Sequence, residues 1–334
     1  MEQSIRFRKS EEGFLAARLR RAASAAACSL VFAATALSCA SSAAGQTIKA
    51  SVVSTPLKPT SSSRWSRDLG YRKTELYPLT LAAAGCPFVD VDVAGVKVSL
   101  MLDTGTSRGF LITNYAPSIP HRVEERSEET NADGSHRGES LGIRVERVSV
   151  LGKIFTNAGG TLADWRMYSS EPFNGTVGLD FFLDRRVTLD YRSGRAGATA
   201  SPVPAKLDRK RYLSVDLVEP PMSQGRILYA RARVNHRDAI VYLDTGYNVS
   251  FIDPGFAEGL VRVERPGKFK VFRRAVPIEL GGRTIILDDL RESPVRRGAG
   301  FDLPVALALG SDVLSSFIVT IDIPARKLIL ALAE

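Results

Sequence analysis

Apolar and polar positions alternate along most of this chain with a period of two. Residues 88–93 read FVDVDV, and AGVK at 94–97 follows as a turn. A second apolar run then extends from Val98 to Leu102. Two such runs around a short turn predict a β-hairpin. The plan recurs further on: LYARARV at 228–234, a turn at NHRD, then AIVYLDTG at 239–246. Helical periodicity is nearly absent, apart from short stretches after Gly178 and Gly310. The pattern predicts an all-β chain.

The two hairpins belong to a longer repeat. YPLTL at 77–81 has its counterpart in YLSVDL at 212–217. Gly178-Leu179-Asp180-Phe181-Phe182 stands before VTLD at 187–190 as Gly310-Ser311-Asp312-Val313-Leu314 stands before VTID at 319–322, without a gap. An internal duplication of about 110–120 residues accounts for this order. It predicts two lobes, 71–191 and 211–334. Between them, RSGRAGATASPVPAKLDRK at 192–210 reads as an interlobe linker. Residues 45–70, rich in Ser, Thr, Lys and Arg with Pro56 and Pro59, read as a flexible lead-in.

Residues 1–44 change the picture of location. Arg18, Arg20 and Arg21 precede an Ala-rich apolar stretch and a run of small residues ending near Ala44. A charged start, an apolar middle and a small-residue cleavage site form a secretory signal, so an exported chain is expected. An uncleaved N-terminal anchor is the alternative, and Cys39 is a weak candidate for lipidation. Cys28 and Cys39 fall within the signal. The mature chain then keeps Cys86 alone, which reads as a small buried apolar residue.

Composition narrows the function classes. With 334 residues, 44% of them hydrophobic, the chain can build a sizeable core. The net charge of +9 is spread without a basic stripe interleaved with aromatics, which argues against nucleic-acid binding. No HExxH and no Cys/His cluster suggests a metal, and no cofactor is expected.

The chemistry sits in a string that each half carries. Residues 99–112 read SLMLDTGTSRGFLI and 240–253 read IVYLDTGYNVSFID, so Asp-Thr-Gly ends an apolar strand twice. Each copy is followed later by apolar-Gly: Val177-Gly178 and Leu309-Gly310. Two carboxylates brought into contact cannot both ionise cheaply, so they share a proton. One then serves as a base and the other as an acid. Glycine after each Asp-Thr lets backbone approach the carboxylates.

These motifs resemble the retropepsin-like and pepsin-like aspartic proteases. The resemblance implies a bilobed all-β acid-protease fold of two retropepsin-like barrels in one chain, which would act as a monomer on peptide or protein substrates. It implies Asp103 and Asp244 as the catalytic pair. Thr104 and Thr245 would cross-link the two loops beneath them, Gly105 and Gly246 would face the carboxylates, and Gly178 and Gly310 would pack behind the loops. A hairpin flap should cover the site, with candidate tips at Asp133 and Gly134 in one half and Gly267 and Lys268 in the other. Lys268, Lys270, Arg273 and Arg274 near the second tip read as a solvated face, with acidic substrates as the alternative.

One position departs from the family pattern. The family places Ser or Thr after Asp-Thr-Gly, where the hydroxyl steadies the outer carboxylate oxygen. Thr106 complies and Tyr247 does not, so Asp244 is expected to lose one hydrogen bond. That departure motivates a second reading, a catalytically weak or inactive peptide-binding module of the cell envelope. Gly105-Thr106-Ser107-Arg108-Gly109 also matches the serine-hydrolase elbow G-x-S-x-G. That motif needs a helix after it and a partnering His, and the following FLITNYAPSIP reads as strand and loop.

Overall fold

The computed structural model describes residues 64–332, apart from 83–84, 107–108, 114–115, 131–135, 164–173, 209, 220–226, 267–270 and 296–299. The signal expected at 1–44 and the lead-in up to residue 63 lie outside the described residues.

A short helix α1 (Arg64–Asp68) leads into the first half. Its strands are β1 (Leu76–Pro78), β2 (Thr80–Leu81), β3 (Pro87–Val93), β4 (Val96–Leu102), β5 (Phe110–Thr113) and β6 (Arg122–Thr130), followed by β7 (His136–Val150), β8 (Lys153–Ala163), β9 (Gly175–Val177), β10 (Arg186–Asp190) and β11 (Arg195–Thr199). The second half holds β12 (Tyr212–Val218), β13 (Leu228–Val234), β14 (Arg237–Leu243), β15 (Phe251–Ile252), β16 (Val261–Glu264) and β17 (Val271–Arg274). It continues with β18 (Val276–Leu280), β19 (Arg283–Leu287), β20 (Leu290–Glu292), β21 (Val305–Leu309), helix α2 (Ser311–Leu314), β22 (Phe317–Asp322) and β23 (Lys327–Leu332). The chain is thus all-β, in two lobes.

The period-two pattern translates directly into burial. Along β3, Val89, Val91 and Val93 turn inward while Asp90 is exposed; along β13, Leu228, Ala230, Ala232 and Val234 turn inward while Arg231 and Arg233 are exposed. Both hairpins close through two residues of positive φ, Ala94 (50°) and Gly95 (84°) in one lobe, Asn235 (47°) and His236 (63°) in the other. Such turns match the twist of the strands they join.

In each lobe a second strand runs parallel to the one that carries Asp-Thr-Gly. Met101 and Leu102 of β4 lie beside Thr176 and Val177 of β9, and Tyr242 and Leu243 of β14 lie beside Ala308 and Leu309 of β21. The backbone N–H of Asp103 donates to Val177 O at 3.0 Å, and that of Asp244 to Leu309 O at 3.0 Å. The apolar-Gly segment therefore fixes the strand end from which each Asp projects.

The lobes are joined by six neighbouring strands in the order β1-β11-β10-β22-β23-β12, and β12 pairs onward with β13 of the second lobe. At the centre of these six, β10 pairs antiparallel with β22, with Thr188 opposite Thr320. All five residues of β10 are buried, and so are the last four of β22. One apolar core runs through both lobes, from Val89 and Leu100 to Leu307 and Leu330.

Two boundaries differ from expectation. Residues 64–70, expected as part of a flexible lead-in, are packed: Trp65 and Leu69 are buried with Tyr71, Tyr212, Ile329 and Ala331 against the interlobe sheet. Trp65 Nε1 donates to Asp190 Oδ2 at 2.6 Å. The stretch 192–210, expected as a linker, contributes β11 to that sheet. Its small residues are required by packing: a Cβ on Gly197 would lie 2.8 Å from the Tyr71 ring.

Candidate functional site

The two Asp-Thr-Gly loops meet at the centre of the molecule. The Thr104 N–H donates to Thr245 Oγ1 at 3.1 Å, and the Thr245 N–H donates to Thr104 Oγ1 at 3.0 Å. Each hydroxyl in turn donates across the interface, Thr104 Oγ1 to Leu243 O at 2.9 Å and Thr245 Oγ1 to Leu102 O at 2.6 Å. Four reciprocal bonds between fully buried groups fix the loops relative to one another.

Above this bracket the carboxylates of Asp103 and Asp244 face each other within hydrogen-bonding reach. Both are buried. Each glycine lies against the opposite carboxylate. A Cβ on Gly246 would stand 2.7 Å from Asp103 Cγ, and one on Gly105 would stand 2.3 Å from Asp244 Oδ2. The glycine amides bind their own lobe's Asp: Gly105 N–H to Asp103 Oδ1 at 2.8 Å, Gly246 N–H to Asp244 Oδ1 at 2.9 Å.

The outer oxygens are served differently. Thr106 Oγ1 donates to Asp103 Oδ2 at 2.8 Å. Asp244 Oδ2 accepts from the phenol of Tyr242, two residues upstream on β14, at 2.7 Å. The expectation that Asp244 loses a hydrogen bond is therefore overturned. Strand periodicity explains how: residues two apart project from the same face, and a phenol is long enough to span that rise. The Tyr247 ring packs edge-on against Tyr242, with centroids 6.3 Å apart, and against Phe251 at 5.7 Å. Tyr242 was missed in the sequence, where it reads as an ordinary β-forming residue; its signal is the position two before Asp244.

Burial pushes both carboxyl groups above the usual carboxylate range. Asp244 is raised further, because the nearby Asp103 charge adds to burial, while the Tyr242 phenol and the Gly246 amide oppose the rise. Burial and the Asp244 charge keep the Tyr242 phenol protonated, hence a donor. The pair accordingly holds a proton between its two carboxyl groups above the ordinary carboxylate range.

The supporting glycines sit behind the loops. Gly310 precedes α2, and a Cβ there would lie 2.7 Å from Val249 O and 2.8 Å from Tyr247 O. Its N–H donates to Ser250 Oγ, which donates to Asp312 Oδ1 at 2.6 Å. Ser311 Oγ donates to Thr245 O at 2.7 Å, tying α2 to the loop. In the other half the Gly178 N–H donates to Gly109 O at 2.8 Å. Cys86 is buried, with Sγ 3.5 Å from Gly246 O.

Hairpins occupy the places expected for flaps, β6 with β7 in the first half and β16 with β17 in the second. The candidate tips Asp133, Gly134, Gly267 and Lys268 lie outside the described residues, as do Lys270 and Ser107. Arg273 pairs with Glu292 at 2.5 Å and Arg274 with Asp289 at 3.1 Å. Gly109 leads into strand β5, so the elbow motif lacks the helix it requires. Among the described residues no group of three His, Cys, Asp or Glu side chains is placed to hold a metal ion, and no helix is long and apolar enough to cross a membrane.

No family model matches the sequence, and no curated protein matches it. Among solved structures, an aspartic proteinase from Irpex lacteus superimposes with a TM-score of 0.56, covering 78% of this chain and 97% of its own, at 11% identity. The chain has the bilobed fold of the pepsin-like aspartic proteinases.

Proposed function

We propose that this chain is an aspartic endopeptidase in which Asp103 and Asp244 activate water for peptide-bond hydrolysis. The observation that carries the reading is the contact of two buried carboxylates, one from each half, above the reciprocal Thr104–Thr245 bonds. Asp103, ionised, takes a proton from a water placed between the carboxylates. The water oxygen bonds to the scissile carbonyl carbon, and Asp244 gives its proton to the carbonyl oxygen. The tetrahedral adduct collapses when the C–N bond breaks and the nitrogen receives the proton held by Asp103. Asp244 regains its proton as the carbonyl re-forms, so the pair returns to its starting state.

No cofactor enters these steps. Both half-sites belong to one chain, which supports action as a monomer on a peptide or protein. The hairpins β6–β7 and β16–β17 are the flaps of this proposal, and the N-terminal pattern supports export to the periplasm or beyond. Digestion of a peptide library by the mature chain across a range of pH tests the reading. Cleavage that disappears in Asp103→Asn and in Asp244→Asn supports it. Peptide binding without cleavage at any pH overturns it in favour of a binding module.

A further inference from the structure

The two halves hold their outer carboxylate oxygens by different residues. In the first half the strand position two before Asp is Met101, which has no O–H, and the loop position after Gly is Thr106, whose hydroxyl reaches Asp103 Oδ2. In the second half those positions are Tyr242 and Tyr247, and the strand residue supplies the bond. Moving the donor from loop to strand leaves each carboxylate with a glycine N–H on Oδ1 and a side-chain O–H on Oδ2. It frees the loop position after Gly for an aromatic ring. That ring buttresses Tyr242 edge-on, and Tyr242 is backed on another side by Tyr229 at 5.2 Å.

We propose that Tyr242 is a positioning residue of the dyad: its phenol fixes the plane of the Asp244 carboxyl and sets the upper pH limit of activity, replacing the hydroxyl that the other half takes from its loop. This rests on the endopeptidase reading, whose dyad it refines. The argument is one of geometry and sign. Gly246 N–H holds Oδ1 and Tyr242 O–H holds Oδ2, so the carboxyl cannot rotate without breaking a bond. A donor on Oδ2 favours the carboxylate over the acid. It thus pulls down a group that burial and Asp103 push up. The titratable groups that act on Asp244 are Asp103, the Tyr242 phenol bonded to it and, through space, Tyr191, which lies beside Cys86 and Ser311; Tyr247 acts on the Tyr242 phenol. The Tyr242 phenol bonds Asp244 Oδ2 directly, at 2.7 Å.

The test is Tyr242→Phe, which keeps the ring contacts and removes the O–H. The alkaline limb of kcat/KM, which reports loss of the proton held by the dyad, should move up by about one to two pH units. The acid limb should move less, and kcat should fall about tenfold or more as the carboxyl turns out of plane. Tyr242→Phe combined with Tyr247→Thr restores a loop hydroxyl and should bring the limb and most of kcat back. Tyr242→Met with Tyr247→Thr copies the first half and should do the same. A limb unmoved in the single variant, or unrestored in both double variants with melting temperatures preserved, overturns the proposal. Infrared titration of the buried carboxyl C=O separates this from the parent reading. It should show the dyad's proton retained to higher pH in Tyr242→Phe whether or not any peptide is cleaved. No difference in that titration overturns the Tyr242 role, whereas absence of cleavage with the difference present overturns the endopeptidase reading alone.

Discussion

Thr188 and Thr320 meet Oγ1 to Oγ1 at 2.8 Å in the middle of the interlobe sheet, and they are the same residue of the two repeats. Val187 faces Ile321 and Leu189 faces Val319, so the pairing maps onto itself when the halves are exchanged. An isologous contact of this kind places a local two-fold axis between its centre residues. The Thr104–Thr245 bracket obeys the same exchange, donor for donor. The sheet and the bracket together hold the halves in one register, and that register brings the carboxylates into contact.

Replacing Thr245 by Val tests the bracket. The change keeps the side-chain volume and removes the Oγ1 that accepts from Thr104 N–H and donates to Leu102 O. Two buried backbone groups then lose partners, at a cost of about 1–3 kcal/mol each. Urea unfolding should show a stability loss in that range or above. By contrast, Thr320→Val leaves Thr188 with Tyr71 Oη at 2.8 Å, and should cost about 1 kcal/mol. Equal losses from the two variants would contradict the assignment of the bracket as the tighter tie.

Gly246→Ala should separate the carboxylates while leaving the strands intact. The added methyl would sit 2.7 Å from both Cγ and Oδ1 of Asp103, on backbone held by Asp244 and Cys86 contacts. Overpacking of this sort typically costs about 1–3 kcal/mol, and a shift of about 1 Å at a reacting centre costs far more in rate. The expected outcome is a far-ultraviolet circular dichroism spectrum like the parent's, a lower melting temperature, and no detectable peptide cleavage. Parent-like cleavage would show that the loops tolerate a wider gap.

The dyad should also weaken the fold as pH rises. Both carboxyls are raised above their ordinary values by burial, Asp244 the more so. The folded chain therefore binds more protons than the unfolded chain above the ordinary carboxyl range. Stability then falls with pH from about pH 4 upward, until the folded-state groups have ionised. Asp244→Asn removes the group with the larger rise. Its melting temperature should match the parent's near pH 3 and exceed it at pH 7, with the gap opening between. A gap that narrows with pH would reverse the sign argued here.

Much of this was legible in the sequence because repetition and period-two burial are local signals. FVDVDV and LYARARV became β3 and β13, and the two LDTG strings became the paired loops. What was illegible depends on contacts between distant segments. Tyr242 looks like any β-forming residue until the strand end places its phenol on Asp244 Oδ2. RAGAT at 195–199 looks like a Gly/Ala linker, yet small residues are what a strand under the Tyr71 ring demands. Residues 64–70 show no periodicity, since a five-residue helix is too short to display one.

That last segment gives the remaining prediction. Trp65 is 1% exposed, donates to Asp190 and meets Tyr71 edge-on at 5.4 Å. The Arg186 guanidinium, itself buried, reaches Leu69 O and lies over the Tyr71 ring at 4.8 Å. Tyr71 in turn bonds Thr188, which bonds Thr320 on the axis of the sheet. The strap thus covers the polar centre of the interlobe sheet. Removing it leaves Arg186 and Asp190 without these partners, and uncovering a buried charge is costly. Trp65→Ala should lose about 3–5 kcal/mol in denaturant unfolding. A chain beginning at Tyr71 should be less stable than one beginning at residue 60 by at least as much, with the loss shared by both lobes in one transition. If the chain beginning at Tyr71 matched the longer one, the strap would be ornamental to the fold and the boundary at 71 would stand.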